Sequence, residues 1–104
     1  MDIDIIIPIY NAFDFVKKCI ETVIEHTDLT QHTLLLVNDK STDERILPLL
    51  NSFIKENQSL NIILIDNKDN QGFVRTVNIG MQYSHHDVVL LNSDTEVTRN
   101  WLSK

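Results

Sequence analysis

Apolar residues are concentrated in four short runs along the chain. Each run is rich in Ile, Leu and Val and lacks a regular alternation of polar and apolar positions; the runs are Ile3–Ile9, Thr33–Val37, Asn61–Ile65 and Asp87–Leu91. Unbroken apolar runs of this length are typical of parallel β-strands that are buried on both faces of a sheet. The pattern therefore predicts four parallel strands.

Between these runs, apolar residues recur at the spacing of an α-helix. The first predicted helix carries Phe13, Val16, Ile20, Val23 and Ile24, and the second carries Ile46, Leu49, Leu50, Phe53 and Ile54. The third runs from about Gly72 to Tyr83, with Phe73, Val77 and Met81 on one face. We predict Asn11 as the N-cap of the first helix and a start of the second helix near 41–43.

The alternation of strands and helices predicts an α/β protein. Short connections of this kind give a mostly parallel sheet with right-handed crossovers, in a Rossmann-like three-layer α/β/α arrangement. A length of 104 residues corresponds to one domain. The chain ends soon after the fourth run, at Lys104. Four strands make a thin sheet for an enzyme, so we expect a fragment of a longer protein.

The amino-acid composition limits the kinds of binding site and partner that the chain can have. Two glycines leave no glycine-rich dinucleotide or phosphate-binding loop, and one cysteine excludes an internal disulfide or a cysteine-based zinc site. A net charge of −6 argues against nucleic acid as a partner. No apolar run approaches the length of a membrane span, and the first residues lack a basic signal-peptide region. We expect a cytoplasmic protein, with peripheral association at the inner face of the membrane as an alternative.

Polar residues follow each predicted strand, at the edge where parallel sheets bind ligands. They are Tyr10-Asn11, Asn38-Asp39, Asp66-Asn67 and Asn92-Ser93-Asp94. Such residues are also common in turns and helix caps. On that interpretation, 66–70 is a solvated turn and Asp43 begins the second helix. The cluster 92–96 leaves a buried strand directly, and a carboxylate there can hold Mg²⁺ or Mn²⁺ together with a substrate phosphate.

Two other features favour ordinary structural roles. His85 and His86 lie in a polar stretch and are predicted to form a surface loop rather than a metal site. Cys19 is predicted to be a packing residue on the first helix, because no histidine lies at a spacing that would support a nucleophile.

Five blocks, in order, resemble the amino-terminal half of family 2 glycosyltransferases, which have the GT-A fold. The first block is similar to that family's hydrophobic run-Pro-x-Tyr-Asn opening, the third to V-D-D-G-S-T-D, and the last to the strand that leads into D-x-D. The blocks cover residues 5–11, 19–27, 36–43, 70–80 and 87–94. Together they span nearly the whole chain.

The resemblance implies a site for a nucleotide-sugar donor. The nucleotide-binding residues that it implies are Pro8, Tyr10, Asn11, Asp39, Gly72, Arg75, Asn92 and Ser93. Pro8 and Tyr10 would line the base and ribose pocket, Asp39 would accept a hydrogen bond from the base, and Asp94 would bind Mn²⁺ or Mg²⁺. The family's catalytic base is expected beyond Lys104, so the resemblance places no catalytic residue here and implies that this fragment alone is inactive.

Three residues depart from the family pattern. Asn38 and Asn92 replace the first Asp of their motifs, and Lys40 replaces a glycine, which predicts a differently shaped turn. The stretch 91–97 is similar to the L-N-P-D-T variant of rhamnosyltransferase-like members, which favours a UDP- or dTDP-sugar.

The implied activity is inverting transfer of a sugar to an acceptor hydroxyl, in polysaccharide or glycoconjugate biosynthesis. The acceptor would be a glycan or a lipid-linked intermediate, and the missing half would leave apolar surface that favours self-association. Two alternatives stay open. One is a non-catalytic α/β binding or receiver-like signalling module with Asp66 as its phosphoacceptor, and the other is an inactive glycosyltransferase relative.

Overall fold

The computed structural model describes residues 2–84 and 86–103 and has the predicted α/β order. Its strands are β1 (Ile3–Ile9), β2 (Thr33–Asn38), β3 (Ile62–Asp66) and β4 (Asp87–Leu90). Its helices are α1 (Phe13–His26), α2 (Ile46–Glu56) and α3 (Phe73–Tyr83), followed by a short 3₁₀ turn at Trp101–Ser103. The strand bounds differ from the predicted ones by one residue at most, so the apolar runs located the sheet.

The four strands form one parallel sheet in the order β3-β2-β1-β4. The chain moves outward from β1 through β2 to β3, and then returns across the sheet to place β4 on the free side of β1. This reversal creates a switch point between β1 and β4. Ligands of open α/β sheets bind at such points, beyond the carboxyl ends of the strands.

One face of the sheet, which we call the α1/α2 face, carries the main core. Side chains of β1 and β2 pack there against apolar residues of both helices, and many of them are fully buried: Ile5, Ile7, Leu34, Leu36, Val16, Ile20, Val23, Ile46 and Leu50. These include most of the residues predicted to line the first two helices. Apolar burial on this face therefore supplies much of the stability of the fold.

The opposite side, which we call the α3 face, is smaller and partly open. Its buried centre is Ile6, Leu35 and Val37. Ile63 and Leu90, on the two edge strands, are each 45% exposed. One helix is too narrow to cover four strands, so the edge side chains on this side remain in contact with solvent.

The sheet-facing surface of α3 differs from the predicted one. Phe73 and Met81 are 57% and 50% exposed, and the helix instead buries Thr76 and Gly80 against the sheet. A Cβ atom at Gly80 would lie 2.9 Å from Cγ2 of Ile6. The prediction of an apolar Phe73, Val77 and Met81 face was wrong because α3 packs through small residues that let its backbone approach the strands.

The starts of the first two helices also differ from the predictions. Ala12, in the left-handed region at φ 59°, is the N-cap of α1, and no side chain caps that helix. Asn11 is itself left-handed, at φ 56°, so its side chain turns away from the helix. Helix α2 begins at Ile46, after a turn in which the backbone N–H of Arg45 donates to the Asp43 carboxylate.

The part of the chain that the structure describes contains no helix with the length and apolarity needed to span a membrane.

Candidate functional site

A cavity of about 670 Å³ opens at the carboxyl edge of the sheet, beside the switch point. Its wall is built from the ends of β1, β2 and β4 and from the first turns of α1 and α3: Pro8, Ile9, Tyr10, Ala12, Phe15, Asp39, Asn70, Gly72, Phe73, Thr76, Asn92, Ser93 and Asp94. The volume suits a small organic ligand, and the mixture of aromatic rings and carboxylates offers both stacking and polar contacts.

Asp39 is the centre of a polar network at the inner wall of this cavity. Its Oδ1 accepts hydrogen bonds from the Asn67 side chain at 3.0 Å and from the Gln71 backbone N–H at 2.6 Å. Its Oδ2 accepts from the backbone N–H of Gly72 at 3.0 Å. Asn67 also donates to the Thr76 hydroxyl at 3.3 Å. The carboxylate thus ties the end of β2 to the 67–72 loop and to α3.

The protonation of Asp39 reflects these contacts. Burial of the carboxylate raises its pKa, but hydrogen bonds from Gln71, Asn67, Thr76 and Gly72 outweigh that effect. The pKa of Asp39 therefore lies below its ordinary value of 3.8. The group is ionised at neutral pH although only 4% of the residue is exposed.

Gly72 has a backbone conformation that the loop requires. Its φ of 83° is one that glycine adopts without strain, and apart from its two chain neighbours no described residue has an atom within 4 Å of the position of a Cβ. The reason for glycine here is therefore its backbone angle rather than space. The loop conformation aims its N–H at Asp39 immediately before α3 begins.

Beyond β4, a tight turn carries Asp94. The backbone N–H of Thr95 donates to the carbonyl of Asn92 at 3.0 Å, so Ser93 and Asp94 occupy the two corners of the turn. Asn92 and Asp94 are exposed and line the cavity. The turn presents one carboxylate and one carboxamide at the cavity mouth.

Cys19 lies under this turn and is fully buried, as expected for a packing residue. Burial raises the pKa of the Cys19 thiol to about 11; the backbone N–H of Thr95 opposes the rise and the charge of Asp94 adds to it. A thiol with this pKa is protonated at neutral pH and is a poor nucleophile.

Most of the residues implied by the family resemblance come together in the cavity wall. They are Pro8, Tyr10, Asp39, Gly72, Asn92, Ser93 and Asp94. Asn11 and Arg75 lie outside the lining. The Asn11 side chain accepts from the backbone N–H of Asp43 at 2.9 Å and donates to the hydroxyl of Thr42 at 3.0 Å, so it joins the end of β1 to the turn before α2.

The sequence alone did not identify several cavity residues. Ile9, Ala12, Phe15, Asn70, Phe73 and Thr76 line the wall as well. Phe15 and Phe73 occupy the first turns of α1 and α3, where helical periodicity suggested core packing for Phe73. Their exposure of 62% and 57% is the signal that separates them from core residues, and exposure is visible only in the folded protein.

The interpretation of 66–70 as a solvated turn was partly wrong. Asn67 is only 8% exposed and belongs to the Asp39 network. Asp66 is exposed, as a turn residue would be, and accepts from the Asn38 side chain at 3.0 Å.

The departures at Asn38 and Lys40 have structural explanations. Asn38 bridges Asp66 and Ser41 and does not line the main cavity. Lys40 adopts a left-handed φ of 56°, the conformation that glycine favours. The turn therefore keeps a positive φ at this position, contrary to the expectation of a different shape, and the lysine bears the strain.

His86 lies at the opposite edge of the sheet, just before β4. His86 is exposed, and its Nδ1 is 3.2 Å from the buried carboxylate of Asp4, which also accepts from the Ser84 hydroxyl at 2.6 Å. The prediction for His85 lies outside the described residues.

The donor set of the cavity fits a divalent cation only in part. Among residues 2–84 and 86–103, no three His, Cys, Asp or Glu side chains are close enough to hold a metal ion. Asp94 and the carboxamide oxygen of Asn92 remain as hard oxygen donors at the mouth. Hard cations keep several waters and bind phosphates through few protein ligands, so this pair suits a cation shared with a bound diphosphate.

Comparison with known proteins finds relatives in sequence and in fold. Over 101 residues the chain is 32% identical to polypeptide N-acetylgalactosaminyltransferase 11 of Xenopus tropicalis, covering 94% of this chain and 17% of that protein. The fold matches Staphylococcus aureus TarS 1–349 in complex with UDP-GlcNAc, with a TM-score of 0.81 and 19% identity, covering 99% of this chain and 29% of the other.

A second solved structure is the mannosyltransferase PcManGT from Pyrobaculum calidifontis in complex with GDP-Man and Mn²⁺. The match has a TM-score of 0.80 and 17% identity, and it covers 88% of this chain and 27% of that one. These identities support a common GT-A fold and nothing finer. The chain spans less than a third of the length of each of these three proteins.

The family model described as "Glycosyl transferase family 2" matches residues 4–104. This range includes the four strands and the three α-helices, apart from the first residue of β1. Sequence, fold and the polar edge of the sheet thus agree, and the chain belongs to glycosyl transferase family 2.

Proposed function

We propose that this chain forms the donor-binding part of an inverting glycosyltransferase that uses a UDP- or dTDP-sugar. The protein that carries it would transfer the sugar to a hydroxyl of a glycan or lipid-linked acceptor. The observation that carries the proposal is the cavity at the switch point, where Asp39, Asp94 and Tyr10 line one space of about 670 Å³.

Aromatic side chains support binding of the base. Tyr10, Phe15 and Phe73 are each about half exposed or more and border the cavity. Exposed rings around a polar cavity lose solvent-exposed apolar area when a planar base stacks on them. We propose that Tyr10 contacts the base, as the family resemblance implies.

Asp39 has a less direct role than the resemblance implies. Protein donors already surround its carboxylate, namely two backbone N–H groups and the side chains of Asn67 and Thr76. A carboxylate has about four acceptor positions. We therefore propose that the main role of Asp39 is to hold the 67–72 loop at the cavity wall. A ring N–H of the base would compete with one of these donors for an acceptor position on the carboxylate.

Charge explains why a cation belongs in the proposal. The chain carries a net charge of −6, the cavity wall contains two aspartates, and Arg75 lies outside the lining. A diphosphate in this cavity would meet negative charge without a neutralising side chain from the lining. Asp94, with Asn92, would hold Mn²⁺ or Mg²⁺, whose chemistry is to offset the charge of the departing diphosphate.

Calorimetry on the purified protein tests this proposal. UDP, dTDP and GDP are each titrated with and without Mn²⁺. We expect UDP or dTDP to bind more tightly with Mn²⁺ than without it, and Asp94→Asn to remove the gain. Glu96→Gln is the matched control, because Glu96 is an exposed acid two residues away that does not line the cavity.

The results separate the proposal from its alternative. If no nucleotide binds under any condition, the proposal is overturned and an inactive relative is favoured. That alternative stays open because Asn92 has a carboxamide where the family motif has a carboxylate. Tight GDP binding without UDP or dTDP binding overturns the choice of donor. Family membership leaves the receiver-like module without support.

A further inference from the structure

Three polar side chains of α1 and its C-cap contact the segment that follows β4. The thiol of Cys19 donates to the carbonyl of Asn92, with 3.7 Å between sulfur and oxygen. The hydroxyl of Thr22 accepts from the backbone N–H of Val97 at 3.0 Å. The hydroxyl of Thr27 accepts from the indole N–H of Trp101 at 2.8 Å. Helix α1 is thus bonded to this segment at three successive points.

The first two bonds enclose the turn that carries Asp94. Upstream, the backbone N–H of Leu91 donates to the carbonyl of Ile6 at 2.9 Å, which ends the ladder between β4 and β1. Cys19 then contacts the first residue of the turn, and Thr22 holds the chain two residues after its last one. Asp94 lies between these attachments, so its location depends on where they place the backbone.

The Thr22 hydroxyl has a defined orientation. Its proton goes to the carbonyl of Cys19 at 2.9 Å, which leaves an oxygen lone pair for the N–H of Val97. Thr22 and Val97 are 8% and 7% exposed. Without this hydroxyl, a buried N–H would lose its partner, and leaving such a group unpaired costs free energy. The bond is therefore costly to break.

Neither Cys19 nor Thr22 lines the cavity. Both lie on the core side of the segment, while Asn92, Ser93 and Asp94 face the ligand space. Because Cys19 and Thr22 do not contact the ligand space, they would affect a ligand only through the backbone of the turn.

We propose that Thr22 and Cys19 are positioning residues that fix the turn bearing Asp94, and thereby set how tightly the protein holds a divalent cation together with a nucleoside diphosphate. This inference rests on the proposed function. It adds that the affinity for the cation depends on two side chains of α1 that do not line the cavity.

The test compares Thr22→Val with Thr22→Ser. Valine keeps the shape and removes the acceptor, whereas serine keeps the hydroxyl. Mn²⁺ affinity is measured by electron paramagnetic resonance at saturating UDP, and UDP affinity without metal is measured by calorimetry. We expect Thr22→Val to weaken Mn²⁺ binding about tenfold, in the range for residues that orient a metal ligand. Thr22→Ser is expected to stay within about twofold of the parent protein.

Thr27→Val is the matched control. It likewise removes a threonine hydroxyl that accepts a hydrogen bond from this segment, but at the C-cap of α1 and from the indole N–H of Trp101, seven residues beyond Asp94. If Thr22 only stabilises the fold, the two valine variants should change Mn²⁺ affinity alike. We expect Thr27→Val to leave it unchanged. Equal affinities in Thr22→Val and the parent protein would overturn the proposal.

Cys19→Ala provides a second variant should Thr22→Val fail to fold. It removes the thiol and with it the contacts to the Asn92 carbonyl and the Thr95 backbone N–H. We expect Mn²⁺ affinity to fall about threefold, because hydrogen bonds of a thiol are weak. Unchanged affinity in Cys19→Ala, with Thr22→Val unfolded, also counts against the proposal.

Failure of this inference and failure of the proposed function give different results. If the parent protein binds no UDP with Mn²⁺, the proposed function fails. If the parent binds both and the variants bind Mn²⁺ as well as it does, only the positioning role fails. Amide hydrogen exchange at Val97 shows in either case whether Thr22→Val has freed the segment.

Discussion

The two faces of the sheet are held together by different interactions. On the α1/α2 face, fully buried apolar side chains of two helices and two central strands interdigitate. On the α3 face, the buried centre is only Ile6, Leu35 and Val37; the helix packs the partly buried Ile79 against it, and its own buried residues are Thr76 and Gly80. The first face relies on apolar burial, whereas the second relies on close backbone approach and on the Asp39 network.

This difference explains why substitutions on the α3 face are expected to affect ligand binding. The α3 face shares Asp39, Gly72 and Thr76 with the cavity wall, so the interactions that attach α3 also shape the site. Regions with few buried apolar contacts open at lower free-energy cost than apolar cores do. We infer that changes on the α3 face alter ligand binding before they unfold the protein, and that changes on the α1/α2 face act in the reverse order.

The largest effect is expected from truncating a core residue of the α1/α2 face. Leu36→Ala should lower the free energy of unfolding by about 3 kcal/mol, since it leaves a cavity at a fully buried position. Ile63→Ala on the α3 face is the matched comparison and should cost less than about 1 kcal/mol, because that side chain is half exposed. Urea unfolding measures both, and equal losses would contradict the difference between the faces.

A smaller effect is expected where α3 approaches the sheet. Gly80→Val should cost about 2 kcal/mol, because a Cβ there lies 2.9 Å from Ile6 Cγ2 and 3.3 Å from Val37 Cγ2. Asn78→Val, at an exposed position of the same helix, is the control for helix propensity. Because displacing α3 also displaces Gly72, nucleotide affinity should fall in Gly80→Val and hold in Asn78→Val. Unfolding curves and calorimetry decide this.

The smallest effect concerns the charge of Asp39. Asp39→Asn should cost about 1 kcal/mol at pH 7, since the buried donors around the carboxylate lose a charged acceptor. The folded-state pKa of Asp39 lies below 3.8, so its contribution is fully present above that value and is lost as the pH falls through the folded pKa. The stability difference between the parent protein and the variant should therefore shrink below about pH 4. A difference that stays constant down to pH 2 would assign the stabilisation to shape rather than charge.

Much of the fold could be predicted because its signals are local. Apolar runs such as that of β1 mark strands buried on both faces, and the segments between them have helical periodicity. The two failures have different causes. For Asn11, a left-handed backbone at two successive residues removed the expected cap. For α3, a glycine that allowed close packing outweighed the apolar periodicity of Phe73, Val77 and Met81.

The sequence predicted at which edge of the sheet the candidate site lies, but not the complete set of residues that form it. Residues that follow strands had to lie at the carboxyl end of the sheet, and seven of the nine proposed site residues line the cavity there. Arg75 and Asn11 lie elsewhere because one is turned outward on α3 and the other is bonded to the turn before α2. Phe15 and Thr76 enter the wall through the angles at which their helices approach the sheet, and no short-range pattern encodes those angles.

The sequence by itself determined the order of elements, the parallel sheet and the strand ends at which polar residues gather, because hydrophobic periodicity and chain connectivity decide these locally. Only the tertiary structure decided which of those polar residues meet. It joined Asp39 to the 67–72 loop and placed Cys19 and Thr22 under the Asp94 turn, across more than 70 residues of chain. Such contacts depend on how whole helices pack, so they become visible only when the core has formed.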